Sequence, residues 1–141
     1  MTGERSADVA AASGTLHVAL LGGFSVRVGS RAVPGSWRLR KSKTLVKLLA
    51  LAGGHRAHRD ALAGVLWPGL DPAAAANNLH QALHAARRAL ASDRSSADAL
   101  CLRDDIVILW PDGDLIVDAD VFAAAAQRAL RSGAAETTGR P

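Results

Sequence analysis

Apolar and polar positions follow two different periods along the first half of the chain, and these periods predict its elements. Residues 16–21 form an apolar run rich in β-formers, and residues 24–28 alternate between apolar and polar side chains. A period of two is typical of a half-buried strand, and Gly22-Gly23 between the runs favours a turn, so we predict a β-hairpin. Short strands at residues 32–33 and 37–40 are predicted to follow it.

Apolar spacings of three and four residues then predict three helices. The first covers residues 40–52 and stops at Gly53-Gly54, and the second covers residues 59–66. The third covers residues 72–91, and Asp71 with the proline that follows it forms its start signal. Aspartate is a strong N-cap, and proline fits the first position of a helix.

The last third of the sequence predicts a second hairpin and one more helix. Residues 99–103 and 106–110 are strand-like runs on either side of Asp104-Asp105, which suits a two-residue turn. A short strand at residues 115–117 follows the hairpin.

Asp118 or Asp120 is the predicted cap of the final helix, which we expect to end near Leu130. The tail after this helix, GAAETTGRP, is predicted to be unstructured. The polar, alanine-rich residues 1–14 are predicted to form a disordered tail at the other end.

The third predicted helix has two faces of different chemistry. Four apolar residues at helical spacing form a stripe that suits a core: Leu79, Leu83, Ala86 and Leu90. The opposite side carries two amides, an imidazole and a guanidinium, from Asn77, Gln81, His84 and Arg88. These groups read base edges in a DNA major groove, and no carboxylate occurs between residues 72 and 91.

Charge is distributed unevenly along the chain, although the whole sequence is only +4. Residues 15–92 hold eleven Lys and Arg against two Asp, which gives +9. Residues 93–120 hold two Arg against eight Asp, which gives −6. A basic first part that includes the third helix favours a polyanionic partner.

Composition excludes several classes of protein. The single cysteine, Cys101, cannot form an internal disulfide, and no run approaches the 18 apolar residues of a membrane helix. We therefore predict a cytoplasmic protein. A nucleophile elbow, a Walker loop and an HExxH motif are all missing, so we predict no enzyme activity, no cofactor and no metal. His80 and His84 have the spacing of a helical zinc pair, but they lack a clear third ligand.

Several segments resemble, in order and spacing, the DNA-binding domain of SARP-type bacterial transcriptional activators (Streptomyces antibiotic regulatory proteins). The segments are LLGGFSV, RKSKTLVKLLAL, DALAGVLWPGLDP, NNLHQALHAARRAL and DLIVDADVFAAAA, and together they extend over about residues 16–126. The resemblance implies an α+β fold similar to the OmpR-like winged helix-turn-helix. That fold has an N-terminal antiparallel sheet, three helices and a C-terminal β-hairpin wing, with the third helix in the major groove.

Carried onto this sequence, the resemblance implies a role for each polar residue of the basic part. The base-reading set is Asn77, Gln81, His84 and Arg88. Phosphate contacts are expected from the entry of the first helix and from the flanks of the third: Arg38, Arg40, Lys41, Lys43, Asn78, His80 and Arg87. By the same likeness, two copies lie side by side on promoter direct repeats, and RNA polymerase binds alongside.

The expected organisation is a disordered tail at residues 1–14, a winged-helix domain at 15–118, and the start of a helical activator region at 119–141. Two features depart from the family pattern. The hairpin tip is acidic, so we expect phosphate to repel it and the third helix to carry most of the discrimination. The chain also stops where an activator domain would begin. The alternative is a protein-interaction module on a winged-helix scaffold that no longer binds DNA.

Overall fold

A computed structural model describes residues 14–35, 37, 39–90 and 99–139. The strands are β1 (Thr15–Ala19), β2 (Ser25–Val28), β3 (Arg31–Ala32), β4 (Arg56–His58), β5 (Leu100–Arg103), β6 (Ile106–Leu109) and β7 (Asp114–Val117). The helices are α1 (Arg40–Leu51), α2 (Arg59–Leu66), α3 (Pro72–Leu90) and α4 (Asp118–Gly139), with a short 3₁₀ turn at Gly53–His55. The fold class is α+β, as predicted.

The first sheet is built around the N-terminal hairpin that the sequence predicts. Strands β1 and β2 pair antiparallel, β2 pairs antiparallel with β3, and β7 lies parallel to β1 on the other side. The order is therefore β3-β2-β1-β7. The N-terminal strands β1, β2 and β3 pair antiparallel, as predicted, and the sheet gains a fourth strand from the far end of the domain, which runs parallel to β1.

Helices α1, α2 and α3 start where the sequence predicts, and α2 has the predicted bounds. Asp71 caps α3 as expected, since its Oδ2 accepts the backbone N–H groups of Ala73 and Ala74 at 3.2 and 3.4 Å. The strand predicted at residues 37–40 is wrong: Trp37 lies outside any strand and Arg40 opens α1.

Helix α4 is longer than predicted. It continues to Gly139, so the expectations of an end near Leu130 and of an unstructured tail after it are wrong. The physical reason is that residues 134–136, AAE, are strong helix formers and no proline follows until residue 141.

The second sheet contains the predicted hairpin and one strand that the sequence does not reveal. Strands β5 and β6 are joined by a two-residue turn in which Asp104 and Asp105 have φ of 51° and 67°. Positive φ at both central residues is the type I′ arrangement that suits a hairpin, and aspartate tolerates it better than most residues. Strand β4 pairs with the other edge of β6, which gives the order β4-β6-β5.

The core lies between the first sheet, the helices and the second hairpin. Leu45 and Leu49 enter it from α1, Leu83 and Leu90 from α3, and Leu100 from β5, and each of these side chains is at most 1% exposed. The apolar stripe of α3 is therefore buried as its spacing predicts. Burying a leucine stabilises a fold by about 1.5–3 kcal/mol, so this stripe fixes which face of α3 points outward.

The first turn of α4 is fastened to the domain by two carboxylates. Asp118 accepts the backbone N–H groups of Leu20 and Leu21 at 2.8 and 3.0 Å, and the bond from Leu20 is the main reason why the pKa of Asp118 is lowered from 3.8. The Oδ2 of Asp120 lies 2.9 Å from Nε2 of His55. These contacts set the position at which α4 leaves the sheet.

The indole of Trp110, just after β6, closes the last loop before β7. Its Nε1 donates to the carbonyl of Gly14 at 2.7 Å.

Among the described residues, no helix has both the length and the apolar character needed to cross a membrane.

Candidate nucleic-acid interface

Helices α2 and α3 are consecutive and are joined by the short turn at residues 67–71. At the start of the turn, the backbone N–H of Trp67 donates to the carbonyl of Ala63. Within the turn, the backbone N–H of Leu70 donates to the carbonyl of Trp67. Leu62 and Leu66 of α2 share the buried core with the apolar stripe of α3. This packing holds α3 by its apolar side and leaves the other side free for a partner.

The exposed side of α3 carries the four residues that the sequence analysis assigns to base reading. Asn77, Gln81, His84 and Arg88 are all exposed, in agreement with their helical spacing. Three exposed residues in the first turns have small side chains: Ala73, Ala74 and Ala76. The N-terminal part of this face therefore projects little from the helix around Asn77. The face therefore offers hydrogen-bond donors and acceptors without a carboxylate.

An open groove of about 840 Å³ runs along the C-terminal half of this face. One wall is α3, with His80, Gln81, His84 and Arg88, and the other wall comes from β3 and described residues between β3 and α1. The described residues of that second wall are one arginine and four apolar residues: Arg31, Val33, Pro34, Trp37 and Leu39. The described lining holds no carboxylate, so the groove is electrostatically suited to an anion. Sequence reasoning missed it, because its two walls are far apart in the chain.

Arg31 is held at the end of this groove by the last turn of α3. Its Nη2 donates to the carbonyl of Leu90 at 3.4 Å. The position of Arg31 was not predicted, since only the tertiary fold brings β3 to the end of α3.

The entry of α1 has the predicted basic character, but two of its lysines also have partners inside the protein. The Nζ of Lys41 donates to the carbonyl of Leu66 at 2.7 Å. Its positive charge there compensates the partial negative charge at the C-terminus of α2. The Nζ of Lys43 lies 5.5 Å from the ring centroid of Phe24. Arg40 is exposed, and Arg38 lies outside the described residues.

The Phe24 ring links these lysines to the wall of the groove. Lys47 lies over the same ring, 5.1 Å from its centroid. The ring also packs against Trp37 at a centroid distance of 5.9 Å. A cation over an aromatic face is attracted by the ring quadrupole, so these contacts position the lysines beside the groove wall.

The flanks of α3 differ from one another. His80 is exposed, whereas Asn78 is half-buried. Arg87 is also half-buried, and its Nε donates to the carbonyl of Leu100 at 2.8 Å. Arg87 therefore fastens α3 to β5, a role that sequence reasoning missed. A clue existed, because residue 87 lies closer to the apolar stripe than the four exposed positions do. Its phosphate contact stays a prediction.

The acidic tip of the second hairpin is not an isolated negative charge. The Oδ1 of Asp105 lies 3.2 Å from Nε of Arg59, and the backbone N–H of Arg59 donates to the carbonyl of Asp105 at 2.8 Å. The tip therefore packs against the first residue of α2. This pairing offsets part of the negative charge that the sequence analysis expected to repel phosphate.

Within the described part of the chain, no three His, Cys, Asp or Glu side chains come together as a group that could hold a metal ion. His80 and His84 both line the groove, where their neighbours are the guanidiniums of Arg31 and Arg88. Cations beside an imidazole disfavour a second positive ion at the same place.

Comparisons of the sequence and the fold with protein-family models, curated proteins and solved structures find no match. Function is therefore inferred from the residues and the geometry described above.

Proposed function

We propose that this chain binds double-stranded DNA in a sequence-dependent manner, as the DNA-binding domain of a SARP-type bacterial transcriptional activator. In this proposal, the α2–turn–α3 unit and the β5–β6 hairpin form a winged helix-turn-helix, and α3 enters the major groove. The observation that carries the proposal is the exposed face of α3, which presents amides, an imidazole and a guanidinium without a carboxylate.

The dimensions of α3 support the proposal. The helix has 19 residues, and at 1.5 Å per residue it is about 28 Å long. The major groove is about 12 Å wide and admits one helix. In helix-turn-helix proteins the second helix of the pair lies in this groove, and its first turns reach the base edges. Asn77 stands in that part of α3, beside three small exposed alanines.

Phosphate contacts would come from the cations around α3. Arg40, Lys41 and Lys43 at the entry of α1 supply this positive charge. Each phosphate that is neutralised releases counterions, so affinity should fall steeply with salt. From the family likeness we further propose direct promoter repeats as the binding sites, two copies side by side on them, RNA polymerase as a partner, and a location at the nucleoid.

The test begins with selection of bound sequences from random duplexes, followed by gel-shift titration at low and moderate salt. We expect one preferred sequence and a linear fall of log affinity with log salt. Gln81→Ala should change the preferred bases, whereas Gln127→Ala, which alters another exposed glutamine on α4, should not. Failure to bind any duplex even at low salt would refute DNA binding.

Such a failure would favour the second candidate, a protein-interaction module. The observation on its side is the apolar surface of α4, where Val121, Phe122 and Leu130 are 58%, 64% and 74% exposed. Exposed apolar residues on one helix are typical of an interaction surface. The DNA titration separates the two functions directly, because only the first of them requires a duplex.

A further inference from the structure

A cavity of about 410 Å³ lies between α2, the turn after it and the first half of α3, and Leu102 of β5 also lines it. Trp67 at the end of α2 is half-buried there, and Leu70 of the turn is 42% exposed although it borders the cavity. Among the described residues, His80 is the only one that this cavity shares with the groove lined by Trp37. The cavity is therefore a separate feature of the α2–turn–α3 unit.

Gly64 leaves one wall of the cavity open, and its described surroundings do not require a glycine. A Cβ added to Gly64 would meet no heavy atom within 4 Å. The φ of Gly64 also lies outside the positive range that favours glycine. Glycine inside a helix is destabilising relative to alanine, so α2 is less stable with this residue than it would be with alanine. The effect of the glycine is free space in the cavity wall, which a bound molecule can occupy.

The size and the walls of the cavity fit a small aromatic molecule. Sites for small molecules are typically mostly apolar and about 300–1,000 Å³ in volume. An apolar cavity of about 150 Å³ is enough for one benzene ring. The cavity beside Gly64, at about 410 Å³, therefore has room for two fused rings. The indole of Trp67 offers an aromatic surface against which such rings can pack.

The charges at the cavity favour a molecule without net charge. The described lining is apolar or glycine except for Arg59, Asp60 and His80. The Nε of Arg59 lies 3.2 Å from Oδ1 of Asp105 and 3.8 Å from Oδ1 of Asp60, so its charge already has partners. Arg59 and Asp60 are neighbours of opposite sign, and together they add no net charge to the lining. A charged molecule would move from water to an apolar wall without a counter-ion, which is costly.

We propose that the cavity between α2 and α3 is a binding site for an uncharged aromatic molecule of two fused rings. The molecule packs against Trp67, occupies the space in front of Gly64 and covers the exposed side chain of Leu70. It contacts both helices and β5, so its binding stabilises their arrangement. This inference is independent of the proposed function, because it requires no duplex.

The test uses naphthol, an uncharged molecule of two fused rings, as the probe. It is titrated into isotope-labelled protein and followed by NMR, in which the three tryptophans give three indole N–H signals. We expect the signal of Trp67 to shift together with the backbone amide of Gly64. The signals of Trp37 and Trp110 should stay in place, because neither residue lines the cavity.

Substitutions on α2 test where the probe lies. Gly64→Leu fills the free space and should weaken naphthol binding by at least about tenfold. Ala61→Leu is the matched control, since it adds the same side chain at an exposed position of α2 outside the lining and should leave the affinity unchanged. Naphthol should raise the Tm of the wild type and of Ala61→Leu, but not that of Gly64→Leu. If Gly64→Leu does not fold, Gly64→Ala replaces it and should be more stable than the wild type yet bind naphthol more weakly.

Charged relatives of the probe test the class of ligand. Naphthoate and naphthylmethylammonium have the same rings but carry one negative and one positive charge. Each should bind at least about tenfold more weakly than naphthol.

Four results would overturn the inference. No shift of any signal up to the solubility limit of naphthol would refute the site, and a shift of Trp37 in place of Trp67 would move it to the other groove. Equal affinities of the wild type and a folded Gly64 variant would show that the space at Gly64 is not used. Equal binding of the charged probes would refute an uncharged ligand. None of these results depends on the DNA titration.

Discussion

The neighbouring residues Arg87 and Arg88 allow one substitution to be tested in two environments. Arg87→Met keeps an unbranched apolar stem but removes the N–H that donates to Leu100 at 2.8 Å. Leu100 is completely buried and lies on β5, one of the two edge strands of the second sheet. Its carbonyl would lose its charged donor, and α3 would lose this link to the hairpin.

The expected cost follows from the kind of bond. A hydrogen bond from a charged donor contributes about 1.5–3 kcal/mol, and a carbonyl left without a partner keeps its desolvation penalty. For a chain of this length, 1 kcal/mol corresponds to a shift in Tm of roughly 3–5 °C. We therefore expect Arg87→Met to lower Tm by about 5–12 °C in a thermal melt followed by circular dichroism.

Arg88→Met is the matched control. Arg88 is exposed and makes no hydrogen bond or ion pair with other described residues, so its Tm should change by less than about 2 °C. The DNA titration should show the reverse order, with the affinity for the selected duplex lowered more by Arg88→Met than by Arg87→Met. Equal melting temperatures for the two variants would refute the structural role of Arg87. A lowered slope of log affinity against log salt in Arg87→Met would support its predicted phosphate contact.

Four further substitutions have signs fixed by the structure. Asp118→Asn should flatten the acid limb of a plot of the free energy of unfolding against pH. Because the pKa of Asp118 is lowered, its charged carboxylate stabilises the fold above the ordinary pKa of 3.8, and this contribution is lost as pH falls through the lower folded pKa. Gly113→Ala should destabilise the protein by about 1–3 kcal/mol in urea melts, because the added methyl group would overlap the hydrogen bond between the Trp110 indole and the Gly14 carbonyl. Gly64→Ala is the control: the new methyl group on α2 would point into open space and should stabilise the protein by about 0.5–1 kcal/mol. Lys41→Met should lower the free energy of unfolding by about 1 kcal/mol through the lost bond to Leu66, and should flatten the salt slope by roughly one if this lysine also contacts phosphate.

Local signals account for the elements that the sequence predicts well. The limits of α2 and the start of α3 depend on residues within a few positions, such as Asp71, whose carboxylate caps its own helix. The buried stripe of α3 depends only on helical period, and it fixes the exposed side as well. A single sequence contains all of this information.

Features that depend on distant parts of the chain could not be predicted in this way. Strand β4 has only one apolar residue, Ala57, and exists because β6 pairs with it. The bond from Arg87 to Leu100 and the pairing of Arg59 with Asp105 need the hairpin in place. The groove beside α3 likewise needs β3 and Trp37 to meet the helix, so the surroundings of Arg88 were hidden from pattern analysis.

The parallel pairing of β1 with β7 has a consequence for synthesis of the protein. Leu20, just after β1, and Asp118, just after β7, are 98 positions apart. A ribosome that adds about 5–20 residues per second needs roughly 5–20 seconds to cover that distance. During this interval one edge of β1 has no partner, and an unpaired edge is a template on which another chain can form a strand. We therefore expect nascent chains to be most prone to aggregation, and most dependent on a chaperone, until β7 emerges and completes the sheet.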